Sequence, residues 1–447
     1  MQRLVLVASV AAALIAPGAE AAQRQRTTVA TADVLARDQE LGRSFRVGAD
    51  DLPAPGATPA VANAPLYLPF KGHTPKVPEG FTATLFAKLE HPRRLLVLPN
   101  GDVIVAEQKP GRLTLLRAGA NGKAEFREQL AGGFNQPYGL AWRDGEILVA
   151  DQDAIWKVAH VLGKPRGRQD EDKQADEAGA KRPRNGQVLL TPKGVFGRVR
   201  GHSNRPLAID RKTGVLFVGV GSSGNIDIEP EVKASIQRFE ADGSNQNTYA
   251  SGLRNTCGLA LNPDTGELWA VVQERDGLGD RLVPDYLVRP DEGDFYGWPY
   301  AYTGQHPQPG FASRSAQKVK ASKRPDLLFE SHSSAMDLVF YDGQQFPADY
   351  RGSAFVVLKG SWNRSDPTGY KVVRVPFQDG RPVGSYENFM TGFWVSGRAR
   401  AEVWGRPAAI ALMPDGALLV ADDVAGSIWR VAYQGARKAE AGSDAAP

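Results

Sequence analysis

With only six histidines in 447 residues, each can be weighed, and His202, in Gly201-His202-Ser203-Asn204-Arg205-Pro206, has the setting best suited to proton transfer. It stands just before an apolar strand, at the inner end of a loop. An imidazole titrating near neutrality there can take a hydroxyl proton while hydride leaves the adjoining carbon. Position alone leaves the structural reading of this histidine ahead of the catalytic one. His332, in Ser331-His332-Ser333-Ser334, opens a later strand in the corresponding way, whereas His73, His91, His160 and His306 read as structural or exposed.

Cations form a second constellation. Arg205, Arg254, Lys359 and Arg406 stand at equivalent places before or after apolar strands. Several such groups converging on a pocket are costly unless an anion fills it. A small planar polycarboxylate would satisfy them through paired hydrogen bonds. For any one of them a local Asp or Glu partner is an equal account; for the set, the anion gains. The third feature is the acidic loop Gln273-Glu274-Arg275-Asp276-Gly277-Leu278-Gly279-Asp280, followed by Pro284-Asp285-Tyr286. Carboxylates, glycines and free carbonyls suit a hard cation such as Ca²⁺, although the spacing is not that of an EF-hand.

The elements that position these residues recur. An apolar strand, a Gly turn, a second apolar strand ending in small or acidic residues and a third strand run from Leu95 through Asn100-Gly101 and Val103–Glu107 to Arg112–Arg117. Further copies start at Gly139, Leu207, Gly258, Leu338 and Ala409. Six copies of short strands signal an all-β, six-bladed β-propeller, whose blades must stack around a central channel because none buries both faces alone. The 48 glycines and 31 prolines agree, and no long segment of helical period separates the strands as an α/β fold requires. The propeller is expected over residues 76–435, with a mobile arm at 22–75 packing along its outside and a disordered tail at 436–447. The mixed charge run from Lys164 to Arg184 reads as a solvated loop.

Met1-Gln2-Arg3, the apolar run Leu4 to Ile15 and Ala19-Glu20-Ala21 have the three-part form of a cleaved leader, so 1–21 reads as a signal peptide and the mature chain as periplasmic or secreted. No other segment is long and apolar enough to span a bilayer. The net charge of +4 is spread along the chain, unlike the basic face of a nucleic-acid binder. Cys257 is the only cysteine. Neither an internal disulfide nor a C-x-x-C-H haem site is available, so a redox enzyme of this sequence passes its electrons to an external acceptor.

Ala250-Ser251-Gly252-Leu253-Arg254-Asn255, Glu274 to Asp280 with Val283-Pro284-Asp285-Tyr286, and Phe295-Tyr296-Gly297-Trp298-Pro299 follow one another along the chain. Gly360-Ser361-Trp362-Asn363-Arg364, Gly369 to Phe377, Gly405-Arg406-Pro407 and Val420-Ala421-Asp422-Asp423 complete the series. In this order they resemble the soluble aldose and sorbosone dehydrogenases that depend on pyrroloquinoline quinone (PQQ), six-bladed propellers of the soluble quinoprotein glucose dehydrogenase type. The resemblance covers roughly residues 75 to 433. It implies that His202 is the general base with Arg205 beside it, and that Gln108, after Glu107, lies near substrate and quinone. It further implies that Arg254 and Asn255 contact the quinone and that Lys359 and Arg406 hold its carboxylates. The loop Arg275-Asp276-Gly277 would hold a quinone-bound Ca²⁺, with Asp276 and Gly277 as the metal-site residues.

The implied reaction oxidises an aldose or sorbosone-like aldehyde to a lactone or acid, with a cytochrome or quinone as the external acceptor. Three departures turn the expectation away from glucose. Gly201 stands where the glucose enzymes carry Asp, Thr256-Cys257 follows Asn255, and Gln273 precedes Glu274. Metal-dependent lactonases of the same architecture do not need converging Arg and Lys. A non-catalytic binding propeller has no reason to gather His202, Gln108 and Arg254 on one face.

Overall fold

The computed structural model describes residues 34–163 and 187–435. The leader at 1–21, the charge run from Lys164 to Arg184 and the tail at 436–447 lie outside the described residues. The described chain is all-β, with α-helix only at residues 34–39 and at Ala316–Ala321.

Aliphatic and β-branched runs punctuated by turn glycines fold into six successive sheets of four or five strands. The first sheet comprises Pro92–Val97, Val103–Glu107, Arg112–Ala118 and Ala124–Gly132; the second comprises Gly139–Arg143, Glu146–Ala150, Ile155–Ala159 and Val188–Leu189. The third begins with Leu207–Ile209 and Leu216–Val220, the fourth with Asn255–Leu261 and Leu268–Gln273, the fifth with Ala335–Phe340 and Ala354–Leu358. In the sixth, Pro407–Leu412, Leu418–Asp422 and Ser427–Tyr433 are completed by Phe81–Lys88 from far upstream, Phe81 lying opposite Tyr433. The first long strand and the last thus belong to one sheet. All six repeat starts read from the sequence fall inside the first strands of these sheets.

Those first strands touch in cyclic order: Pro92–Val97 meets Gly139–Arg143, then Leu207–Ile209, Asn255–Leu261, Ala335–Phe340 and Pro407–Leu412, which returns to Pro92–Val97. The approach is close. A Cβ on Gly139 would lie 2.3 Å from the Arg205 carbonyl, so only glycine fits there. Where the first strands meet, polar groups are buried and paired. Arg94 forms an ion pair with Asp337, which also accepts the Ile410 N–H at 3.1 Å. The Tyr138 hydroxyl donates to the carbonyls of Cys257 (2.8 Å) and Met336 (3.2 Å).

The acids that end the second strands have a structural use. Each accepts a main-chain N–H from the loop leading into its own sheet: Glu107 from Glu90, Asp151 from Asn135 and Asp422 from Arg406. Buried amides with no ladder partner need such acceptors.

Upstream of Phe81 the chain is docked on this body. Ser44–Phe45 adds to the edge of the fifth sheet and Leu66–Tyr67 pairs with Glu402–Val403. The buried Lys371 ammonium donates to the carbonyl and carboxylate of Asp38 at 2.9 and 3.1 Å. Residues 56–63 lie over the loops near 278 and 362 through Gly56 N–H to Leu278 O and Asn63 N–H to Trp362 O, both at 2.9 Å.

Candidate active site

His202 is fixed by the second hairpin of the third sheet. Its Nδ1 lies 2.9 Å from the Ser222 carbonyl and 3.2 Å from the Ser222 hydroxyl. A carbonyl can only accept, so Nδ1 carries the proton and Nε2 keeps its lone pair. Burial, then the charge of Arg254, push the imidazole down to about 4. It is therefore neutral at pH 7 and ready to accept a proton at Nε2.

Gly201 has a reason of its own. Its φ is +76°, and a Cβ there would lie 2.4 Å from the Ser223 carbonyl and 2.5 Å from that of Ser222. No side chain fits this backbone. Gly201→Ala is expected to lower stability by about 1–3 kcal/mol in urea unfolding. It should also lower turnover by moving His202 off Ser222; wild-type stability and activity together would show that the loop tolerates a Cβ.

Arg205, expected beside the base, acts from below it. Fully buried, it donates from Nη1 to the carbonyls of His202 and Asn204, both at 2.8 Å, and its guanidinium lies over the Phe196 ring. That makes it a positioning residue for the His202 loop. Gln108 is buried, with its amide 3.5 Å from the Ser203 hydroxyl, next to the base. Glu107 serves its own sheet through a two-point pair with Arg112.

Arg254 does not reach outward. Its Nε donates to the Asn225 carbonyl (2.9 Å), Nη1 to the Glu274 carbonyl (2.9 Å) and Nη2 to the Asn225 side chain (3.1 Å). The acidic loop is thereby pinned to the loop carrying Asn225. Asn255 donates to Gln273 Oε1 at 3.2 Å, and its buried Oδ1 has no partner among the described residues. Asp276 accepts from Asn363 Nδ2 at 2.6 Å and lies 3.5 Å from His332 Nδ1, while His332 Nε2 donates to the Gly279 carbonyl at 2.9 Å. Burial works against its charge, but the His332 and Arg254 contacts hold the Asp276 carboxyl below its usual range. His332 is thus a clamp on the acidic loop. Burial pushes Glu274 up to about 8 and Asp285 up to about 6.

Lys359 and Arg406 meet at the far side. The Arg406 guanidinium donates to the Lys359 carbonyl at 3.0 Å and to that of Gly360. The Lys359 ammonium pairs with Asp423, which also pairs with Arg93, and His91 stands 3.7 Å from the same carboxylate. Burial, then Arg93, push Lys359 down to about 7. Although burial opposes it, Lys359 and then Arg93 hold Asp423 well below the usual carboxylate range. One buried carboxylate thus serves two cations, with Arg406 close by.

Hydrogen bonds join His202 to the cations in a chain: Ser222, which holds the imidazole, donates its N–H to the Arg254 carbonyl at 2.8 Å. Arg254 binds the Gln273–Glu274 backbone, Gln273 Nε2 donates to Ser334 at 2.9 Å, the Ser334 carbonyl accepts the Lys359 N–H, and Lys359 leads to Arg406. The sequence reading missed Ser222, Asn225 and Arg93, and it gave Asp423 no role. Of these only Asp423, in the doubled acid of Val420-Ala421-Asp422-Asp423, carried a visible signal.

Residues 203–368 match the family model described as glucose/sorbosone dehydrogenase, and residues 305–434 match one described as TrAA12-like. An uncharacterized protein of Borreliella burgdorferi is 27% identical over 369 residues, 81% of this chain and 91% of that one. The pyrroloquinoline quinone-dependent pyranose dehydrogenase of Coprinopsis cinerea is 30% identical over 230 residues, 40% of this chain and only 30% of that protein. In fold, the chain is similar to the holo form of the PQQ domain of that pyranose dehydrogenase, with a TM-score of 0.65 at 20% identity, covering 83% of this chain and 98% of the domain. The match at 203–368 takes in Arg205, Arg254, Asp276, His332 and Lys359, and the likeness in fold extends over most of the chain.

Proposed function

We propose that this chain is a PQQ-dependent sugar dehydrogenase built on a six-bladed β-propeller. The observation that carries the reading is the meeting of a neutral, oriented imidazole with a surplus of buried positive charge in one connected network. The six sheets and the cyclic contacts of their first strands support the blade count.

The cationic end fits an acidic cofactor. Lys359 and Arg93 share the single carboxylate of Asp423, so an added carboxylate would restore full charge to Lys359. Lys359 would hold the carboxylates of PQQ with Arg93 and Arg406 around it, and Asn255 Oδ1 is a buried acceptor still to be satisfied. When bound, PQQ supplies a two-electron acceptor for the hydride of the sugar's C–H bond. The protein's part is to take the hydroxyl proton on His202 Nε2, hold Nδ1–H on Ser222, and keep Gln108 beside that proton path.

The substrate class is an aldose or a sorbosone-like sugar aldehyde. Gly201 withholds the Asp that the glucose enzymes carry before their base. An external cytochrome or quinone would then take the electrons, and the leader-like residues 1–21 support a place in the periplasm or outside the cell. A metal-dependent lactonase has no need of converging cations, so the gathering of Lys359, Arg93 and Arg406 favours the dehydrogenase over that alternative.

Reconstitution with PQQ, followed by dye reduction across a panel of aldoses, tests the proposal. Quinone binding and sugar-dependent dye reduction are expected; neither appearing would end the dehydrogenase reading. Lys359→Met should weaken PQQ binding by at least about tenfold in fluorescence titration, because it removes the cation that a cofactor carboxylate would pair with. Unchanged affinity would remove Lys359 from the cofactor site.

A further inference from the structure

In the loop Arg275-Asp276-Gly277, which by resemblance should offer carbonyls to Ca²⁺, the central carbonyl is already taken by the protein's own donors. The Asp276 carbonyl accepts from Arg275 Nε at 2.9 Å and from Asn225 Nδ2 at 3.0 Å. A carbonyl oxygen has two lone pairs, so both are used. Arg254 takes the Glu274 carbonyl at 2.9 Å and approaches that of Gln273 at 3.4 Å. The Asp276 carboxylate is held by Asn363 at 2.6 Å and faces His332. A calcium ion needs about six to eight oxygens at roughly 2.3–2.6 Å. It would have to displace these donors and sit within a few ångströms of two guanidinium groups, where like charges repel strongly. The residues of this loop do not fit the ion.

We infer that the guanidinium groups of Arg254 and Arg275 fill the cationic role at this loop, so that the site takes its acidic cofactor without a divalent metal. The inference rests on the quinone reading above and narrows it. A protonated guanidinium keeps its charge at all working pH values and hydrogen-bonds the loop carbonyls that a metal would otherwise gather. Asn225 ties Arg254 to the loop: its side-chain oxygen accepts from Arg254 Nη2 (3.1 Å) and from the Asp276 N–H (2.9 Å), while its amide donates to the Asp276 carbonyl. Three side chains thus set one loop.

The test uses the full chain after chelator treatment. Calorimetric titration with CaCl₂ alone is expected to give no binding up to about 1 mM, the weak end of protein calcium sites, and no rise in Tm. PQQ affinity, read by tryptophan fluorescence, should agree within about twofold in chelator and in calcium. Arg275→Met should weaken PQQ binding in chelator by about tenfold, with calcium restoring part of the loss. Calcium binding to the wild type, a calcium requirement for PQQ, or an Arg275→Met variant with unchanged affinity would each overturn the inference. Absence of PQQ binding in every condition would instead overturn the quinone reading on which it rests.

Discussion

His202→Ala is expected to lower kcat by roughly 10²–10⁴-fold, the usual contribution of a positioned general base, while PQQ stays bound. The split follows from geometry. Nδ1 is committed to Ser222, so the ring's free nitrogen is the one group of His202 left to meet a substrate proton. The cationic end at Lys359, Arg93 and Asp423 does not depend on the imidazole. The pH profile supplies a second readout. The base works only when unprotonated, and burial with Arg254 holds its value near 4. Activity of the free enzyme should therefore persist from neutrality down to about pH 4 and fall below it, whereas an unperturbed histidine would lose activity near pH 6.5. Stability shifts the same way, because the folded value lies below the unfolded one: protonation favours the unfolded chain as pH falls from about 6.5 toward 4. Unchanged turnover in the alanine variant would remove His202 from the chemistry.

The two halves of this site differ in how visible they were in the sequence. Strand starts at Leu95, Gly139, Leu207, Gly258, Leu338 and Ala409 were legible because an apolar run, a Gly turn and an acid-ended second strand repeat locally. The closing strand Phe81–Lys88 was not, because its partner Ser427–Tyr433 lies more than three hundred residues away in the chain and it carries no turn motif of its own. In the site, residue types were readable but their commitments were not. Arg254 and Arg406 read as cations awaiting an anion or a local carboxylate, yet each spends its guanidinium largely on backbone carbonyls. Carbonyls are present at every position and leave no signal in sequence. Ser222 was invisible for the same reason: a serine carbonyl that orients a histidine has no side-chain signature. Gly201 was read as a departure from the glucose enzymes, and the structure adds its cause in a backbone at positive φ crowded by two carbonyls.

Asp337→Ala is expected to cost about 3–5 kcal/mol, the penalty for leaving a buried charge without its partner. Arg94 is 7% exposed and Asp337 is fully buried, so removing the carboxylate strands a guanidinium where water cannot replace it. The loss reaches further than one pair. Asp337 also accepts the N–H of Ile410 at 3.1 Å and of Leu338 at 2.8 Å, and Arg94 leans toward the Leu259 carbonyl at 3.4 Å. Four of the six sheets meet at that point. The exposed pair Arg324–Asp50 is the contrast: Asp50→Ala should change stability by about 0–1 kcal/mol, since surface pairs are screened by solvent. The double variant Arg94→Met with Asp337→Leu, which removes both charges and keeps apolar volume, should regain most of the loss, because the penalty comes from the orphaned ion rather than the absent bond. Urea unfolding followed by circular dichroism measures all three. If Asp337→Ala unfolds no earlier than Asp50→Ala, the junction is held by apolar packing alone; if it does, the ring of first strands, which includes Asn255 and has Arg205 and Arg406 just before two of its members, is pinned from its centre.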